Sequence, residues 1–404
     1  MPARGDESMG EERRSARAVS VLGAMGVVCT MGTGACDLPV STVLMDLGDP
    51  VTVPLGVGIT PLSLEPGDFD GDGATDVLIG GLSPGGGTTG AVRRGNGDGT
   101  LQPAVDAGLN ACSAYPAVGN LNGDARSDAI ALGCANDLAV LIGRANATLS
   151  PWSAWPPNTY SPTPVTGLAI GDFESDGDGD VFVLRVAATG STAIVHIELS
   201  NAAQGFWSTG GTLFNPNEAR FHPEQMLLAH LDDDDLLDLV LTDRDAGVAT
   251  MLGTIPESFA LARELELSVN PWLTRVGDMD GDGLDDLVVL SRTDGAVQVL
   301  LAAGDGTMLP QPPVPVPVIL PYDAALGDLD DDGDLDVALV DDGTPELLVL
   351  RGDGAGGLGN STQRTLPSGA IRVHAADFDG DGIDDVLAAT YANHSLSLVL
   401  STMP

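Results

Sequence analysis

A nine-residue acidic window recurs seven times in this chain, starting at residues 68, 120, 172, 230, 278, 328 and 377. The starts lie 52, 52, 58, 48, 50 and 49 residues apart. A period near 50 marks one supersecondary unit copied along the chain, and it leaves few folds open. Every unit has the same plan. A small or apolar stretch such as Ile59-Thr60-Pro61-Leu62-Ser63-Leu64 leads into the window. The window ends in Asp and runs into an apolar segment, as in Val77-Leu78-Ile79 or Leu287-Val288-Val289-Leu290. A turn follows, then a stretch such as Ala296 to Leu301 and a Gly-rich turn such as Gly304-Asp305-Gly306-Thr307. A Pro- and Val-rich segment, most plainly Pro310 to Pro321, closes the unit.

These runs are short, rich in Val, Leu and Ile, and bounded by Gly, Asp and Pro, which is the grammar of strands. A lone four-stranded sheet cannot cover both of its faces, whereas stacked sheets cover each other. The expected fold is therefore all-β: a seven-bladed β-propeller with four-stranded antiparallel blades over residues 41–404. The seventh unit supplies only three strands before Pro404, two of them after its window, Val386 to Thr390 and Leu396 to Leu400. The strand-like piece Val51-Thr52-Val53-Pro54-Leu55 precedes the first window and is unassigned. It is expected to close the last blade from the N-terminal end, removing a sheet edge.

The charge is packaged. The chain has 404 residues, 58 acids, 17 bases and a net charge of −41, with 43% hydrophobic residues. Every base is Arg. The seven windows hold 32 of the acids and a single base, Arg126, so they carry −31 and everything else only −10. Ordinary hydrophobic content excludes a disordered polyanion. The lack of a basic field excludes nucleic-acid partners. With no Lys there is no Schiff-base chemistry and no Walker A phosphate loop. Repulsion concentrated at seven points calls for cations to relieve it.

The first, fifth and seventh windows are complete: Asp68, Asp70, Asp72 and Asp76; Asp278, Asp280, Asp282 and Asp286; Asp377, Asp379, Asp381 and Asp385. Carboxylates at positions 1, 3, 5 and 9 converge if the backbone turns sharply, which Gly at positions 4 and 6 permits. The carbonyl at position 7 adds an oxygen: Ala74, Leu284 and Ile383 in these windows, and Arg126, Asp178, Leu236 and Asp334 in the others. Hard oxygens in a flexible ring suit Ca²⁺ better than Mg²⁺, and the absence of repeated His and Cys argues against Zn²⁺. Up to seven Ca²⁺ sites are expected. The sixth window (Asp328, Asp330, Asp332, Asp336) has Asp331 at position 4. The third (Asp172, Glu174, Asp176, Asp180) has Glu at position 3 and Ser175 at position 4. The second uses Asn120 and Asn122 with Asp124 and Asp128, losing two charges. The fourth starts with His230 and has neither Gly, leaving Asp232, Asp234 and Asp238 as a weaker set. The apolar residue at position 2 (Phe69, Phe173, Met279, Leu329, Phe378) is expected to anchor each loop in its blade.

These windows share positions 1, 3 and 5 with an EF-hand but lack its Glu at position 12 and its helices. Repeated at this period before apolar strands, they resemble the FG-GAP/VCBS repeats of integrin α-subunit-like seven-bladed propellers. The resemblance implies loops that bind Ca²⁺ at the blade edge and a role in surface binding or adhesion.

Residues 1–36 are expected to be an export signal: Arg13, Arg14 and Arg17, then a small apolar stretch from Ala18 to Met31. Gly34-Ala35-Cys36 resembles a lipoprotein processing site, with Cys36 as the lipidated residue and the only membrane attachment. An exported, envelope or secreted location follows from that reading. Cys112 and Cys134 flank the second window on what should be neighbouring strands, and a disulfide between them is expected over two reduced thiols.

No nucleophile, zincin or dinucleotide motif is visible among the five His or elsewhere. His374 reads as a satisfied strand His rather than a channel group, and Arg351-Gly352-Asp353 as a turn after a strand. The segment Asn201 to Arg220, with Phe206 and Trp207, reads as an insertion in the third unit. Trp152, Trp155 and Tyr160 are a second aromatic feature. The expectation is a binding or adhesion module for a protein or carbohydrate ligand, not an enzyme. The alternatives are a polysaccharide-acting enzyme and a structural envelope protein. Arg, His and Tyr gathered at one end of the channel would favour the enzyme, and scattered placement would favour binding.

Overall fold

The computed structural model describes residues 46–402 apart from 56–58, 86, 110–114, 133–137, 153–164, 174–176, 187–192, 200–206, 215–222, 255–257, 261–262, 318–319 and 391. The proposed signal, Cys36, Cys112, Cys134, Trp155 and Tyr160 lie outside the described residues.

Each repeat forms one antiparallel sheet, six of them four-stranded and one five-stranded. The innermost strands are Thr60–Gly67, Ala117–Gly119, Val165–Gly171, Gln225–Ala229, Leu273–Gly277, Pro321–Gly327 and Ala370–Ala376. Each leads into an acidic window, and the Asp at position 9 of that window is the first residue of the second strand: Asp76–Leu82, Asp128–Leu132, Asp180–Val186, Asp238–Asp243, Asp286–Ser291, Asp336–Asp341 and Asp385–Thr390. Six of these seven are described for burial, and they are buried almost throughout. A strand flanked on both faces by other sheets must be apolar at every position, which is why these runs do not alternate.

The last blade closes as the sequence implies. Val51–Pro54 pairs antiparallel with Ser395–Val399, Val51 opposite Leu398 and Pro54 opposite Ser395. Asp46–Leu47 adds a short pairing with Ser401–Thr402. The fifth blade departs from four strands. Met308–Pro310 and Val314–Pro315 both pair with Ala296–Ala302, because Pro312 and Pro313 interrupt what would be one outer strand. In the third blade Trp207–Phe214 is the outermost strand, so the segment read as an insertion supplies a regular part of the sheet.

The core is divided among the seven gaps between blades. One cluster fills each gap, from Phe69, Leu78 and Leu141 between the first and second blades to Leu64, Val77, Leu387 and Leu398 between the first and last. All seven position-2 residues are at most 2% exposed, including Leu121 and Leu231. Each inserts into the gap towards the next blade, so the anchor expected of the apolar second position is present in every loop. Phe173 there meets Phe182 and Phe259, with ring centroids 5.9 and 5.5 Å away. Consecutive innermost strands touch all the way round, including Thr60–Gly67 against Ala370–Ala376. They enclose a central cavity of about 880 Å³.

Candidate functional site

The acidic loops sit at the ends of the innermost strands, and in the complete windows they share one hydrogen-bond plan. The amide of Gly71 donates to Asp68 Oδ1 at 2.6 Å and that of Gly73 to Asp68 Oδ2 at 2.9 Å. Gly281 and Gly283 treat Asp278 the same way, as do Gly380 and Gly382 with Asp377. These glycines have φ between +75° and +92°, a region closed to most side chains. The position-1 carboxylate is thereby turned inward. Carboxylate oxygens of Asp68, Asp70 and Asp76, of Asp278, Asp280 and Asp282, of Asp328, Asp330 and Asp332, and of Asp377, Asp379 and Asp385 lie within 4.8 Å of one another. Four Asp clusters can thus hold a metal ion, and their all-oxygen, flexible donor sets fit a hard cation.

The Asp at position 9 has a second role that the sequence reading missed. In all seven loops its Oδ2 accepts the amide of position 2, from Leu231 to Asp238 at 2.7 Å to Leu329 to Asp336 at 3.3 Å. In six, Oδ1 accepts an amide from the end of the third strand: Gly95, Gly143, Gly253, Ala302, Gly352 and Ser401. Asp76, Asp128, Asp180, Asp238, Asp286, Asp336 and Asp385 have no exposed surface. Burial pushes Asp76, Asp128, Asp238 and Asp286 up to about 6, and Asp336 and Asp385 up to about 7, against the pull of those amides.

The loops are also joined to one another. The position-8 amides of Ser127, Gly179, Asp285 and Asp384 donate to the position-1 carbonyls of Asp68, Asn120, His230 and Asp328 in the preceding blades. Gly99 and Gly356, in Gly-rich turns, donate to the loop carbonyls of Phe378 and Met279.

The windows differ in what else reaches them. Arg94 Nε lies 2.7 Å from Asp70 Oδ2, and Arg351 pairs with Asp330 in the same way. Each Arg directly precedes the third-strand residue that clamps position 9. Leu301 and Leu400 hold that place in the fifth and seventh blades, where no base pairs with the loop among the described residues. Arg351 is therefore the end of a strand committed to a loop, as the turn reading of Arg351-Gly352-Asp353 implies. In the fourth window His230 Nδ1 lies 3.1 Å from the Leu236 carbonyl oxygen, engaging the group expected to serve as a ligand. In the second, Arg126 pairs with Asp124 at 3.0 Å, and Ala125 takes φ +65° in place of Gly. Glu174 and Asp176 of the third window lie outside the described residues.

Arg94 and Arg351 act as built-in counter-cations. Replacing Arg94 by Leu is expected to tighten cation binding at the first loop by roughly tenfold, through loss of a competing positive charge. Equilibrium dialysis should then count one more tightly held ion; unchanged stoichiometry and affinity would refute the counter-cation role.

Along the channel side of the innermost strands, a second group of side chains surrounds the cavity. Glu65, Arg275 and His374 stand three residues before their windows, and Tyr115, Gln225, Asp323 and Arg372 five before. Residues two apart on a strand share a face, so both columns point into the channel. His374 is a strand residue with a backbone partner at Leu64, as expected, and it also lines the channel. Arg275 pairs with Asp323 at 2.6 Å. Burial pushes Glu65 up to about 8 and His374 down to about 4, the latter helped by Arg275, so both are uncharged at pH 7. The aromatic pair Trp152 and Trp207 lies elsewhere: Trp152 packs on the core between the second and third blades, and Trp207 opens an outer strand.

The model of the FG-GAP-like repeat matches residues 120–183, 278–339 and 328–388, each span running from one acidic loop through the next. The chain carries FG-GAP-like repeats. Among curated proteins, none matches this sequence. The propeller superposes on the BP39L lectin of Burkholderia pseudomallei with a TM-score of 0.61 at 14% identity, covering 85% of this chain and 96% of that one. It superposes on an Agrocybe aegerita lectin, described as recognising non-reducing terminal N-acetylglucosamine, with a TM-score of 0.54 at 15% identity, covering 87% and 93%. The periplasmic gluconolactonase PpgL of Pseudomonas aeruginosa gives 0.48 at 16% identity, covering 73% and 83%. At these identities the likeness is one of fold alone.

Proposed function

We propose that this protein is an exported, calcium-binding β-propeller that acts at the cell surface as a binding or adhesion module for a protein or carbohydrate ligand. Ca²⁺ would be held by the Asp278 and Asp377 loops first, where no Arg competes, and then by the Asp68 and Asp328 loops. When bound it supplies charge neutralisation that fixes one end of the ring. The observation that carries the reading is the open cavity, which all seven blades line on a scaffold closed through its first and last strands. A rigid ring with a polar, aromatic-rimmed cavity is suited to ligand recognition.

One observation favours a catalytic reading. Arg275, Arg372, His374, Tyr115 and Tyr322 all line the one channel cavity, and a grouping of such side chains is what a polymer-acting enzyme would need. Glu65, protonated at pH 7, and neutral His374 would be its acid and base. A glycan array and a protein pull-down, each with Ca²⁺ and with EGTA, test the binding module, and incubation of array hits with the protein tests turnover. Retained ligands that are not cleaved support binding. Cleaved ligands support catalysis, and no ligand on either screen rules out the proposal.

A further inference from the structure

We infer that the channel mouth takes an anionic oligosaccharide, one whose sugar rings carry carboxylates, with Arg244 and Arg372 as the receptors for those carboxylates. This rests on the binding-module reading and names the ligand class of the same cavity.

The mouth is built as an arc in which guanidinium groups and aromatic rings alternate. Arg244 lies 3.9 Å over the ring of Trp272, and Arg292 lies 4.8 Å from Trp272 and 4.9 Å from Tyr322. Arg372 follows, 5.6 Å from Tyr322 and 5.7 Å from Tyr115. Trp272 and Tyr322 also meet edge to face at 5.7 Å. A guanidinium stacked on a ring keeps its N–H edge free for a planar oxyanion, which it grips with two parallel hydrogen bonds.

The charge balance makes this arc unusual for the molecule. The chain has more than three acids for each Arg. Arg292 has a carboxylate neighbour in Asp342, at 3.5 Å, and Arg275 has Asp323. Neither the Arg244 nor the Arg372 guanidinium has a carboxylate within 4 Å among the described residues; Glu224 Oε2 accepts only the backbone amide of Arg244, at 3.1 Å, and the hydrogen bonds of the two side chains go to the backbone carbonyls of Trp272 and Ile371. Below them Glu65 adds no negative charge at neutral pH. Two guanidinium groups of one arc left without carboxylate partners, in a protein so rich in acids, point to a ligand that brings its own.

The rest of the cavity suits sugar rings. Its volume of about 880 Å³ lies within the range of roughly 300–1,000 Å³ typical of ligand sites. The half-buried rings of Trp272 and Tyr322 offer surfaces for sugar C–H groups. Protonated Glu65 and neutral His374 offer hydrogen-bonding partners to hydroxyls without adding charge.

The test is titration calorimetry of the Ca²⁺-loaded protein with trigalacturonate, the neutral galactose trisaccharide and triglutamate. The acidic trisaccharide is expected to bind at least about tenfold tighter than the other two. Arg372→Gln and Arg244→Gln should each weaken it by about tenfold or more, the worth of a lost charged hydrogen bond, with an unchanged melting temperature. Should one variant fail to fold, the other variant and the three-ligand comparison in the native protein still decide. Equal binding of the neutral trisaccharide overturns the anionic assignment and leaves a saccharide-binding module standing. Tighter binding of triglutamate overturns it in favour of an acidic protein segment. If none of the three binds, this inference falls, and the array and pull-down judge the broader reading separately.

Discussion

In EGTA the melting temperature is expected to fall by roughly 10–20 °C, and excess Ca²⁺ should restore it. Each cation bound only by the folded loops adds about 3–4 kcal/mol when free Ca²⁺ is several hundred to a thousand times its dissociation constant. Two to four such sites give a shift of that size in a domain this large. The position-8 amides that tie one loop to the carbonyl of the preceding one spread the effect from the loops to the joints between blades. The pH dependence should reverse between the two conditions. Without metal, the buried position-9 carboxylates keep their protons up to about 6 or 7, against about 4 in an unfolded chain. The folded protein then holds more protons than the unfolded one, so this contribution is fully present near pH 4 and lost by about pH 8. With Ca²⁺ the loops must be deprotonated, and stability rises over the same interval. Differential scanning calorimetry at pH 5.5 and 8, in EGTA and in Ca²⁺, measures all four cases. An unchanged melting temperature on chelation would remove the cation from the account of stability.

Asp286→Ala is expected to destabilise the protein by about 3–5 kcal/mol whether or not Ca²⁺ is present. The carboxylate accepts the amides of Met279 at 2.8 Å and Ala302 at 2.7 Å, and its loss leaves two buried donors unpaired. Asp282→Ala, at an exposed position of the same loop, should lower stability only when Ca²⁺ is bound. Denaturant melts of both variants in Ca²⁺ and in EGTA separate the two roles. If the Asp286 effect vanished in EGTA, its carboxylate would be a ligand and nothing more.

Much of the fold was legible because the acidic window marks the same corner of every blade. Its spacing gave the number of sheets, and the short final unit pointed to Val51–Pro54 as the missing strand. Less legible were strands without the Val-rich signature, such as Trp207–Phe214, which lies in the longest repeat. The fifth strand around Val314 was hidden by the prolines that split it from Met308–Pro310. The clamp made by position 9 did leave a trace. Asp128 and Asp238 persist in the two windows that have lost other ligands, as a structural duty independent of metal requires. The channel group also left one, in the columns three and five residues before each window. Aligned by register, they bring Glu65, Arg275 and His374 together although they are far apart in the chain. Without the ring, nothing says that these columns face one another.

The pairing of Val51–Pro54 with Ser395–Val399 sets an order on biosynthesis. The first of these strands leaves the ribosome more than 340 residues before its partner. At about 5–20 residues per second it waits roughly twenty seconds to a minute. Earlier blades are free to assemble meanwhile, but the gap holding Leu64, Val77, Leu387 and Leu398 stays wet until the final hairpin emerges. The circle is then fastened in one late step, by two strands made far apart in time.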